Sequence, residues 1–286
     1  MVKDTLWQRL VYGVRRHKQR ADWTSFAGSD WTERIMQVGV TDRFHAKQGR
    51  STGRWIVEKG HGRLAVYLKR QYRLSRWRGL AAAMWPEAGW SPALAEWQHL
   101  EWARAHGLPV PASVAAAEYI GPWGRLQSFL AVEELAGMLP LHEAIPRAQA
   151  ALPPSAFHDW KQGLAAEVAR LSRELHKRRR FHRDLYLCHF YIAAADVETI
   201  PDWCGRVHLI DLHRLVRHRL FWRLWQMKDL AQLLYSSRTH GVEEQDRRSF
   251  WTVYLGGEHR AWIIRLLEIA VWLKARRYGR HNRKRR

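Results

Sequence analysis

The stretch Phe181–His189, F-H-R-D-L-Y-L-C-H, decides how the rest of this chain is interpreted. It contains His-Arg-Asp at 182–184, and His189 follows that aspartate by five residues. A second stretch, Leu209–Arg214 (L-I-D-L-H-R), places the carboxylate of Asp211 in an apolar run typical of a short strand. In a chain rich in arginine and histidine, a solvated loop is the competing interpretation of His-Arg-Asp taken alone.

The composition is that of a folded protein with an anionic partner. The chain has 286 residues, enough for one large domain or two lobes with a sizeable core. Its 47% hydrophobic content and 17 tryptophans exclude intrinsic disorder. Lysine and arginine total 48 against 27 acidic residues, and the resulting net charge of +21 favours nucleic acid, an anionic membrane surface or a phosphorylated or acidic substrate.

Cysteine content and hydropathy indicate a cytoplasmic protein. Its two cysteines, Cys188 and Cys204, exclude a disulfide scaffold and favour a reducing compartment. The first 20 residues mix charged with apolar side chains, which is not the pattern of a secretory signal. Since no run of 18 apolar residues exists, we expect a soluble or peripheral protein.

The order of the polar residues resembles that of protein kinases. In those enzymes H-R-D-L-x-x-x-N supplies a catalytic aspartate and a metal-binding asparagine, and a second aspartate after a short hairpin binds Mg²⁺. Here Asp184 and Asp211 hold the two aspartate positions, His189 stands at the asparagine position, and no glycine follows Asp211. The pattern predicts an α+β, two-lobed protein-kinase-like fold with a small antiparallel β lobe and a mainly helical C-terminal lobe.

The N-terminal third predicts a helical segment followed by a small sheet. Residues 1–36 have helical spacing with a basic face, and such a helix either packs on the domain or lies on a membrane. Strands are predicted at 44–47, 54–58 and 63–70. The turn at 48–53 contains Gly49 and Gly53, whose backbone amides could approach phosphates closely.

A lysine and a glutamate follow in the order that a nucleotide site needs. Lys69 ends the third predicted strand, where a lysine can pair with the phosphates of ATP. Glu96 lies near the start of the next predicted helix, and Glu101 is a rival partner for the lysine. Between them, residues 74–92 mix tryptophan with arginine; this insertion either contacts a membrane interface or anionic glycolipid, or caps the core of the small lobe.

The remaining chain predicts a crossing between lobes and then helices. Two strands, at 113–119 and 126–132, lead into A-V-E-E-L-A-G, where the backbone near Glu133 and Leu135 would bind adenine. Helices are predicted at 156–180, 221–234, 247–254 and 259–277. Asp229 could brace the backbone of the catalytic loop, which contains His182, Arg183 and Asp184. Alternatively, it could be an exposed residue or a helix cap.

We therefore expect four segments along the chain. They are a helical extension at 1–40, a kinase-like N-lobe at 41–134 with its insertion at 74–92, a helical C-lobe at 135–273 and a basic tail at 274–286. The tail has no apolar face, so the sequence assigns it an electrostatic role at most.

A more specific resemblance is carried by five short pieces: His182–Ile192 (H-R-D-L-Y-L-C-H-F-Y-I), Ile210–Arg214 (I-D-L-H-R), Lys228–Ala231 (K-D-L-A), Ala95–Leu100 (A-E-W-Q-H-L) and Val132–Leu135 (V-E-E-L). These pieces are similar to the lipopolysaccharide core heptose kinases, bacterial enzymes with a protein-kinase-like fold. The resemblance spans about residues 40–235 and weakens at both ends and in the tryptophan-rich insertion.

The resemblance implies transfer of the γ-phosphate of ATP to a heptose hydroxyl of the lipopolysaccharide inner core. Its substrate would be the lipid A–core glycolipid at the anionic cytoplasmic face of the bacterial inner membrane, which a basic peripheral protein would approach readily. Asp184 would orient and deprotonate the hydroxyl, while Lys69, steadied by Glu96, would hold the ATP phosphates.

The metal site is the least regular part of this expectation. Asp211 would bind Mg²⁺, with His189 as a second ligand. Imidazole is a poor Mg²⁺ ligand because this ion prefers oxygen, so His189 could instead hydrogen-bond the phosphate or the catalytic loop.

Other functions stay open at this point. A related family phosphorylates keto-deoxy-octulosonic acid, and a kinase fold does not choose between that sugar, another sugar or a protein. Nucleic acid is not expected as a partner, since the sequence has no recognisable nucleic-acid-reading motif. A catalytically inactive kinase-fold binding protein would commonly have lost Lys69, Asp184 or Asp211, and all three are present.

Overall fold

The computed structural model describes residues 5–40, 49–59, 62–85, 90–256 and 261–283. The chain divides into two compact units. The first consists of Met1–His106 with Pro111–Leu135, and the second of Gly107–Val110 with Ala136–Arg286. No helix in the described ranges combines the length and apolar character needed to cross a membrane.

The first unit is built on one antiparallel sheet. Its strands are β1 (Val14–Gln19), β2 (Arg50–Lys59), β3 (Gly62–Gln71), β4 (Ser113–Gly121) and β5 (Arg125–Glu133), in the spatial order β1-β4-β5-β3-β2. Its helices are α1 (Leu6–Val11), α2 (Trp23–Ala27), α3 (Trp31–Arg34), α4 (Arg76–Met84) and α5 (Pro92–Ala105).

The N-terminal segment is not the continuous helix that the sequence predicts. Gly13 has φ +78°, a left-handed conformation that ends α1, and the chain then runs as an edge strand with Val14 opposite Ile120. A side chain at Gly13 would meet the carbonyl oxygen of Ile120 at 2.7 Å. The prediction of helix over 1–36 is therefore wrong at Val14–Gln19, because pairing with β4 overrides the local helical spacing.

The turn predicted at 48–53 is mostly strand. The β2 strand begins at Arg50, and Gly53 lies in the ladder opposite Leu68. Ser51, whose hydroxyl lies 3.0 Å from that of Tyr72, is buried within the strand. The prediction relied on glycine and serine as turn residues, whereas four consecutive pairs with β3, from Arg50 to Gly53, hold this segment extended. The strand predicted at 44–47 lies outside the described residues.

Tryptophans from α2 and α3 form the core on one face of this sheet. The indole of Trp23 is fully buried and meets the ring of Trp31 edge-on at 5.9 Å. Trp31 in turn meets Phe129 of β5 edge-on at 5.3 Å. Edge-to-face pairs of this kind add to the large apolar area that each ring buries. Part of the tryptophan content is therefore explained by packing alone.

A buried arginine joins the N-terminal segment to the sheet. Arg70, only 2% exposed, donates from its guanidinium to the carbonyl oxygens of Ile35, Met36 and Val38 at 2.7–3.2 Å, and to the hydroxyl of Ser51 at 3.0 Å. These carbonyls follow α3, and a cation there satisfies groups that the short helix leaves unpaired. The segment before residue 40 is thus an integral part of the first unit rather than a separate extension.

The insertion at 74–92 contributes α4 to the core. Ala82 and Ala83 are buried and pack with Ile120 and Leu126. This confirms the prediction that the insertion caps the core of the small lobe, at least for that face of the helix.

The second unit is mainly helical. Its helices are α6 (Leu141–Ala151), α7 (Pro154–Lys177), α8 (Trp222–Ser236), α9 (Glu244–Leu255) and α10 (Ala261–Arg283). Short strands β6 (Met138–Pro140), β8 (Phe190–Ala193) and β9 (His208–Leu209) form one small sheet, and β7 (Arg180–Phe181) pairs with β10 (Val216–Arg217). The segments that carry Asp184 and Asp211 lie beside these strands.

The C-terminal helix is longer than predicted. The helix predicted at 259–277 continues to Arg283, so most of the basic tail predicted at 274–286 belongs to helix α10. Ala275 is completely buried in a cluster with Leu230, and the ring of Tyr278 lies 6.3 Å from that of Tyr235. Ala275 and Tyr278 therefore form the apolar face of this part of the helix. The sequence does not reveal this face because most of the neighbouring residues are charged.

Candidate active site

In the first unit the structure brings Lys69 and Glu96 together. The Nζ atom of Lys69, on β3, lies 2.7 Å from Oε1 of Glu96 on α5. Glu96 is buried, whereas the lysine side chain keeps 27% of its surface exposed. Glu101, the rival partner, instead accepts a hydrogen bond from the Ser113 hydroxyl and lies 3.6 Å from Arg104.

The start of α5 is fixed by its own sequence, and that fixes Glu96. Ser91 is the N-cap residue, with its hydroxyl accepting from the backbone N–H of Leu94 at 3.2 Å, and Pro92 occupies the first helical position. The buried carboxylate of Glu118 accepts from the backbone N–H of Ser91 at 3.1 Å, so β4 holds the helix in place. Glu96 therefore lies one turn into a helix with a well-defined start.

The predicted adenine-binding segment lies at the end of β5. Glu133 donates its backbone N–H to the Ala112 carbonyl at 2.8 Å, and its carboxylate lies 2.5 Å from Arg20. The next residue, Glu134, forms a two-bond ion pair with Arg54 at 2.8 Å. Since these side chains are engaged with arginines, ligand binding here would fall to the main chain, with Leu135 following directly.

In the second unit Asp229 holds the catalytic loop, as the sequence predicted it could. This fully buried carboxylate accepts from the backbone N–H of His182 at 2.7 Å and of Arg183 at 2.8 Å, and it lies 3.2 Å from the imidazole of His176. The bracing role predicted for Asp229 is thereby confirmed. Arg183 has φ +67°, an uncommon conformation for a residue other than glycine, and the two bonds from Asp229 compensate for its cost.

His182 completes this support from inside the protein. Its imidazole is fully buried, and Nε2 lies 3.0 Å from the carbonyl oxygen of Ile210, so Nε2 carries the proton. Burial lowers the pKa of His182, which keeps the ring neutral. The histidine thus joins the loop of Asp184 to the segment that ends in Asp211.

The carboxylate of Asp184 is held by Arg214. One guanidinium nitrogen of Arg214 lies 2.9 and 2.7 Å from the two carboxylate oxygens. The arginine side chain is 44% exposed and the aspartate side chain 20% exposed. A base that remains accessible and is positioned by a charged hydrogen bond fits a role in activating a hydroxyl.

His189 links the two predicted aspartates. Its Nδ1 atom lies 2.6 Å from the backbone carbonyl of Asp184, which identifies Nδ1 as a donor, and its Nε2 atom lies 4.0 Å from Oδ2 of Asp211. The alternative in which His189 hydrogen-bonds the catalytic loop is therefore confirmed for one nitrogen. Burial acts to lower the pKa of His189, but contacts with Cys188, the Asp184 carbonyl and Asp211 outweigh it, and the pKa is raised.

Asp211 occupies a turn with an unusual backbone. Its φ of +63° places it in the left-handed region, directly after β9 and before a single turn of 3-10 helix at Leu212–Arg214. Oδ1 accepts a hydrogen bond from the His213 imidazole at 2.9 Å, and Oδ2 faces His189. Strain of this kind concentrates at functional sites, and aspartate tolerates it better than most residues.

The residues around Asp211 fit a Mg²⁺ ion that has few ligands from the protein. Among the described residues, no group of three or more His, Cys, Asp and Glu side chains lies close enough together to hold a metal ion. However, Mg²⁺ in phosphoryl-transfer sites is commonly held by one or two carboxylates plus water and substrate phosphates. The oxygen of Asp211 fits that donor set, whereas the nitrogen of His189 is the less suitable atom.

Sequence reasoning missed the role of Arg214. It stands at the end of the I-D-L-H-R motif, but its distance of 30 residues from Asp184 gives no local signal of their contact. Gln232 was missed as well: it accepts from the backbone N–H of Leu185 at 3.2 Å and donates to the carbonyl of Arg183 at 3.0 Å. Its position one turn beyond Asp229 on α8 is the only signal that could have indicated this second brace.

Comparisons with known proteins identify relatives of this chain. The model of the family described as "Lipopolysaccharide kinase (Kdo/WaaP) family" matches residues 40–254 of this chain. Lipopolysaccharide core heptose(I) kinase WaaP of Pseudomonas aeruginosa is 28% identical over 243 residues, covering 84% of this chain and 86% of that protein. The protein of the same name from Escherichia coli K12 is 34% identical over 96 residues, covering 34% of this chain and 36% of that protein.

A solved structure titled "WaaP in complex with acyl carrier protein" has a TM-score of 0.69 and 23% identity, and the match covers 93% of this chain and 98% of that one. This likeness confirms the predicted protein-kinase-like fold. The family match covers more than half of the sequence and confirms the resemblance carried by the short motifs. The chain belongs to the lipopolysaccharide kinase (Kdo/WaaP) family.

Proposed function

We propose that this protein is an ATP-dependent kinase that phosphorylates a heptose hydroxyl of the lipopolysaccharide inner core. The family and the names of its curated relatives support the substrate class. The observation that carries the proposal is the 2.7 Å ion pair between Lys69 and Glu96. Active kinases need such a pair to hold the ATP phosphates.

The first unit supplies the nucleotide contacts in this proposal. Lys69, positioned by Glu96, neutralises charge on the ATP phosphates. Gly49, with φ +72°, and Gly53, on β2, leave room for the backbone to approach those phosphates. Adenine would be held by the main chain of Glu133 and Leu135, through the Glu133 carbonyl and not through its N–H, which is already donated to Ala112.

The second unit supplies the chemistry. Asp184 orients the acceptor hydroxyl and accepts its proton as the oxygen bonds to the γ-phosphorus and the bond to the β-phosphate oxygen breaks. Arg214 fixes the carboxylate during this step. Asp211, with His189 as the second candidate, would hold Mg²⁺, which neutralises charge on the transferring phosphates when bound. Asp229 and His182 maintain the loop in the required conformation.

The exposed aromatic side chains of the first unit support work at a membrane surface. We define the aromatic surface by Trp7 on α1, Trp77 on α4 and Trp123 in the turn before β5, which are 65%, 81% and 60% exposed. The rings of Trp7 and Trp123 meet edge-on at 6.3 Å. Neither helix nor the turn contains an acidic residue, and Arg76 and Arg78 flank Trp77.

Tryptophan and arginine together suit the interface of an anionic bilayer, where the indole lies among headgroups. The proposal therefore places the protein at the cytoplasmic face of the inner membrane, where both ATP and the lipid A–core glycolipid are available. Co-sedimentation with phosphatidylglycerol vesicles tests this part. Trp77→Ala should reduce vesicle binding several-fold, whereas Trp272→Ala, an exposed tryptophan on α10, should leave it unchanged.

The central test is transfer of labelled γ-phosphate from ATP to dephosphorylated core lipopolysaccharide, with Asp184→Asn alongside. Label in the heptose region that is lost in the variant supports the proposal. Label in keto-deoxy-octulosonic acid or only in protein would assign a different acceptor. ATP binding without any transfer would favour a kinase-fold binding protein instead.

A further inference from the structure

A basic patch lies next to the loop of the second unit that carries Asp184. We define the basic patch by two sets of residues. Arg179, Arg183, Arg223 and Lys228 lie over the rings of Trp222 and Trp225, and Arg180 and Arg217 belong to the adjoining strand pair β7–β10. The segments 177–183 and 214–228 from which it is built contain ten lysines and arginines and no aspartate or glutamate. The reaction proposed above uses none of the patch side chains.

Aromatic faces rather than carboxylates surround these cations. The guanidinium of Arg179 lies 4.0 Å from the ring centre of Trp222, and the Nζ atom of Lys228 lies 4.0 Å from that of Trp225. Arg183 approaches Trp225 at 5.0 Å. Among the described residues, no carboxylate pairs with these three cations. The neighbouring Arg178 differs, since it pairs with Glu174 and needs no ligand.

Like charges face each other directly within the patch. Arg180 and Arg217 are opposite residues in the two-residue ladder of β7 and β10, so two positive charges share one short strand pair. Burial and the charge of Arg217 both lower the pKa of Arg180. Positive charge concentrated at one place on a surface attracts anions.

Two buried polar atoms and a strained backbone also indicate a binding site in the patch. The Nε atom of Arg183 and the Nε2 atom of His218 are buried and have no hydrogen-bond partner within the described part of the chain. The imidazole of His218 stacks on Trp225, with ring centres 4.4 Å apart and planes 2° from parallel. Arg179 and Arg183 both have positive φ, at 57° and 67°, so the backbone is strained on both sides of β7.

The patch adjoins the base of the proposed reaction. Arg183 directly precedes Asp184, and β10 follows directly on the segment that carries Arg214. We propose that the basic patch binds an anionic substituent of the acceptor, a phosphate or a sugar carboxylate, and thereby positions the hydroxyl at Asp184. Arginine suits this task because its planar donors match the oxygens of both groups. The inference rests on the proposed function.

The test compares acidic with neutral acceptors. The acidic probe is a deacylated, soluble heptose oligosaccharide that contains keto-deoxy-octulosonic acid, and the neutral probe is the same oligosaccharide with its carboxylates reduced to alcohols and any phosphates removed. The variants are Arg179→Gln combined with Arg217→Gln and, as a milder change, Lys228→Gln. Arg276→Gln is the matched control, because this exposed arginine also lies over a tryptophan, 4.4 Å from the ring centre of Trp272 on α10.

We expect the double variant to raise KM for the acidic probe about tenfold, with kcat changed less than about threefold, and Lys228→Gln to raise it by a smaller factor. KM for ATP and for the neutral probe should stay within about twofold of wild type, as should all values for Arg276→Gln. A rise in KM for ATP alone, an equal rise for both acceptors, or no change would each overturn the inference. Thermal unfolding of each variant checks that it is folded.

Direct binding separates this inference from the proposed function. Quenching of tryptophan fluorescence by the acidic probe is titrated without ATP, so it requires no catalysis. Binding of the acidic but not the neutral probe, weakened in the double variant, supports the subsite even if phosphoryl transfer is never seen. If the double variant loses binding only to phosphatidylglycerol vesicles, the patch recognises lipid headgroups and the subsite is rejected.

Discussion

Arg214 donates from one guanidinium nitrogen to both carboxylate oxygens of Asp184, at 2.9 and 2.7 Å. The two residues are 30 positions apart in the sequence. They meet because β7, which precedes Asp184, pairs with β10, which follows Arg214. The pair is partly exposed, so an acceptor hydroxyl can reach the aspartate while the arginine keeps its carboxylate in place. Replacing Asp184 and replacing Arg214 should therefore lower kcat by different factors.

Removing the base should abolish most of the activity. Asp184→Asn keeps the shape of the side chain but not its ability to accept a proton, so we expect kcat to fall by about 10²–10⁴. The dissociation constant for ATP should change less than about twofold, because the residue is assigned to the acceptor side. Asp159→Asn, at an exposed position of α7, is the control. Retained kcat in Asp184→Asn would contradict the assignment.

Removing the residue that positions the base should cost less. In Arg214→Gln the carboxylate is still present but no longer fixed, and we expect kcat to fall by about tenfold. Steady-state kinetics should show this fall together with partial rescue by Arg214→Lys, which restores the charge but not the guanidinium geometry. A loss as large as that in Asp184→Asn would mean that Arg214 contacts the reacting groups itself.

Because Lys69 and Glu96 form an ion pair, the kinetic effects of replacing them should not be additive. Lys69→Met should raise KM for ATP or lower kcat by at least about tenfold, and Glu96→Gln should have a smaller effect of the same kind. Once the lysine is absent, the glutamine substitution should add little, because the two residues act as one unit. Lys18→Met, on the exposed edge strand β1, is the matched control. Effects that multiply fully in the double variant would show that the residues work independently.

Asp229 should be essential to stability as well as to catalysis. Its carboxylate is fully buried and accepts two backbone N–H groups, so Asp229→Ala leaves both donors without a partner. We expect a loss of about 3–5 kcal/mol in the free energy of unfolding, measured with urea. Asp229→Asn retains one oxygen acceptor and should lose less. Equal stability of wild type and the alanine variant would contradict the bracing role.

The buried His182 predicts a pH dependence of stability. Its pKa is lowered in the folded state, so below about pH 6.5 the unfolded chain binds a proton that the folded chain does not. This contribution is fully present above pH 6.5 and is lost as the pH falls toward the folded pKa. Relative to His182→Phe, the wild type should therefore lose up to about 1.4 kcal/mol per pH unit in urea unfolding below pH 6.5. A difference between the two proteins that does not vary with pH would refute this prediction.

A pair of glycines gives a test of packing near the aromatic surface. Alanine at Gly79 would place its Cβ 2.0 Å from the carbonyl oxygen of Gly124, which is backbone and cannot rotate away. Alanine normally favours a helix over glycine by about 1 kcal/mol, but overpacking costs about 1–3 kcal/mol, so we expect net destabilisation. Gly39→Ala meets nothing within 4 Å and should be nearly neutral. Thermal unfolding of the two variants checks the contrast, and a more stable Gly79→Ala protein would contradict it.

The sequence by itself determined the fold class and the family, and it supplied most of the residues proposed for the site. Lys69, Glu96, Asp184 and Asp211 could be proposed for the site because kinase chemistry fixes their order along the chain. Asp229 could be proposed as a brace because it lies in a motif that continues the same pattern. The long helices α7 and α8 were predictable because apolar residues recur at helical spacing over many turns. Local periodicity is sufficient for such elements.

Only the tertiary structure decided the features that depend on distant partners. Val14–Gln19 is a strand because β4 offers an edge, and Arg50–Gly53 is extended because β3 pairs with it along its length. The contact of Arg214 with Asp184 and the assembly of the basic patch join segments about 30 residues or more apart. Backbone pairing and charge contacts of this range carry no local periodicity, so they are fixed only when the chain has folded.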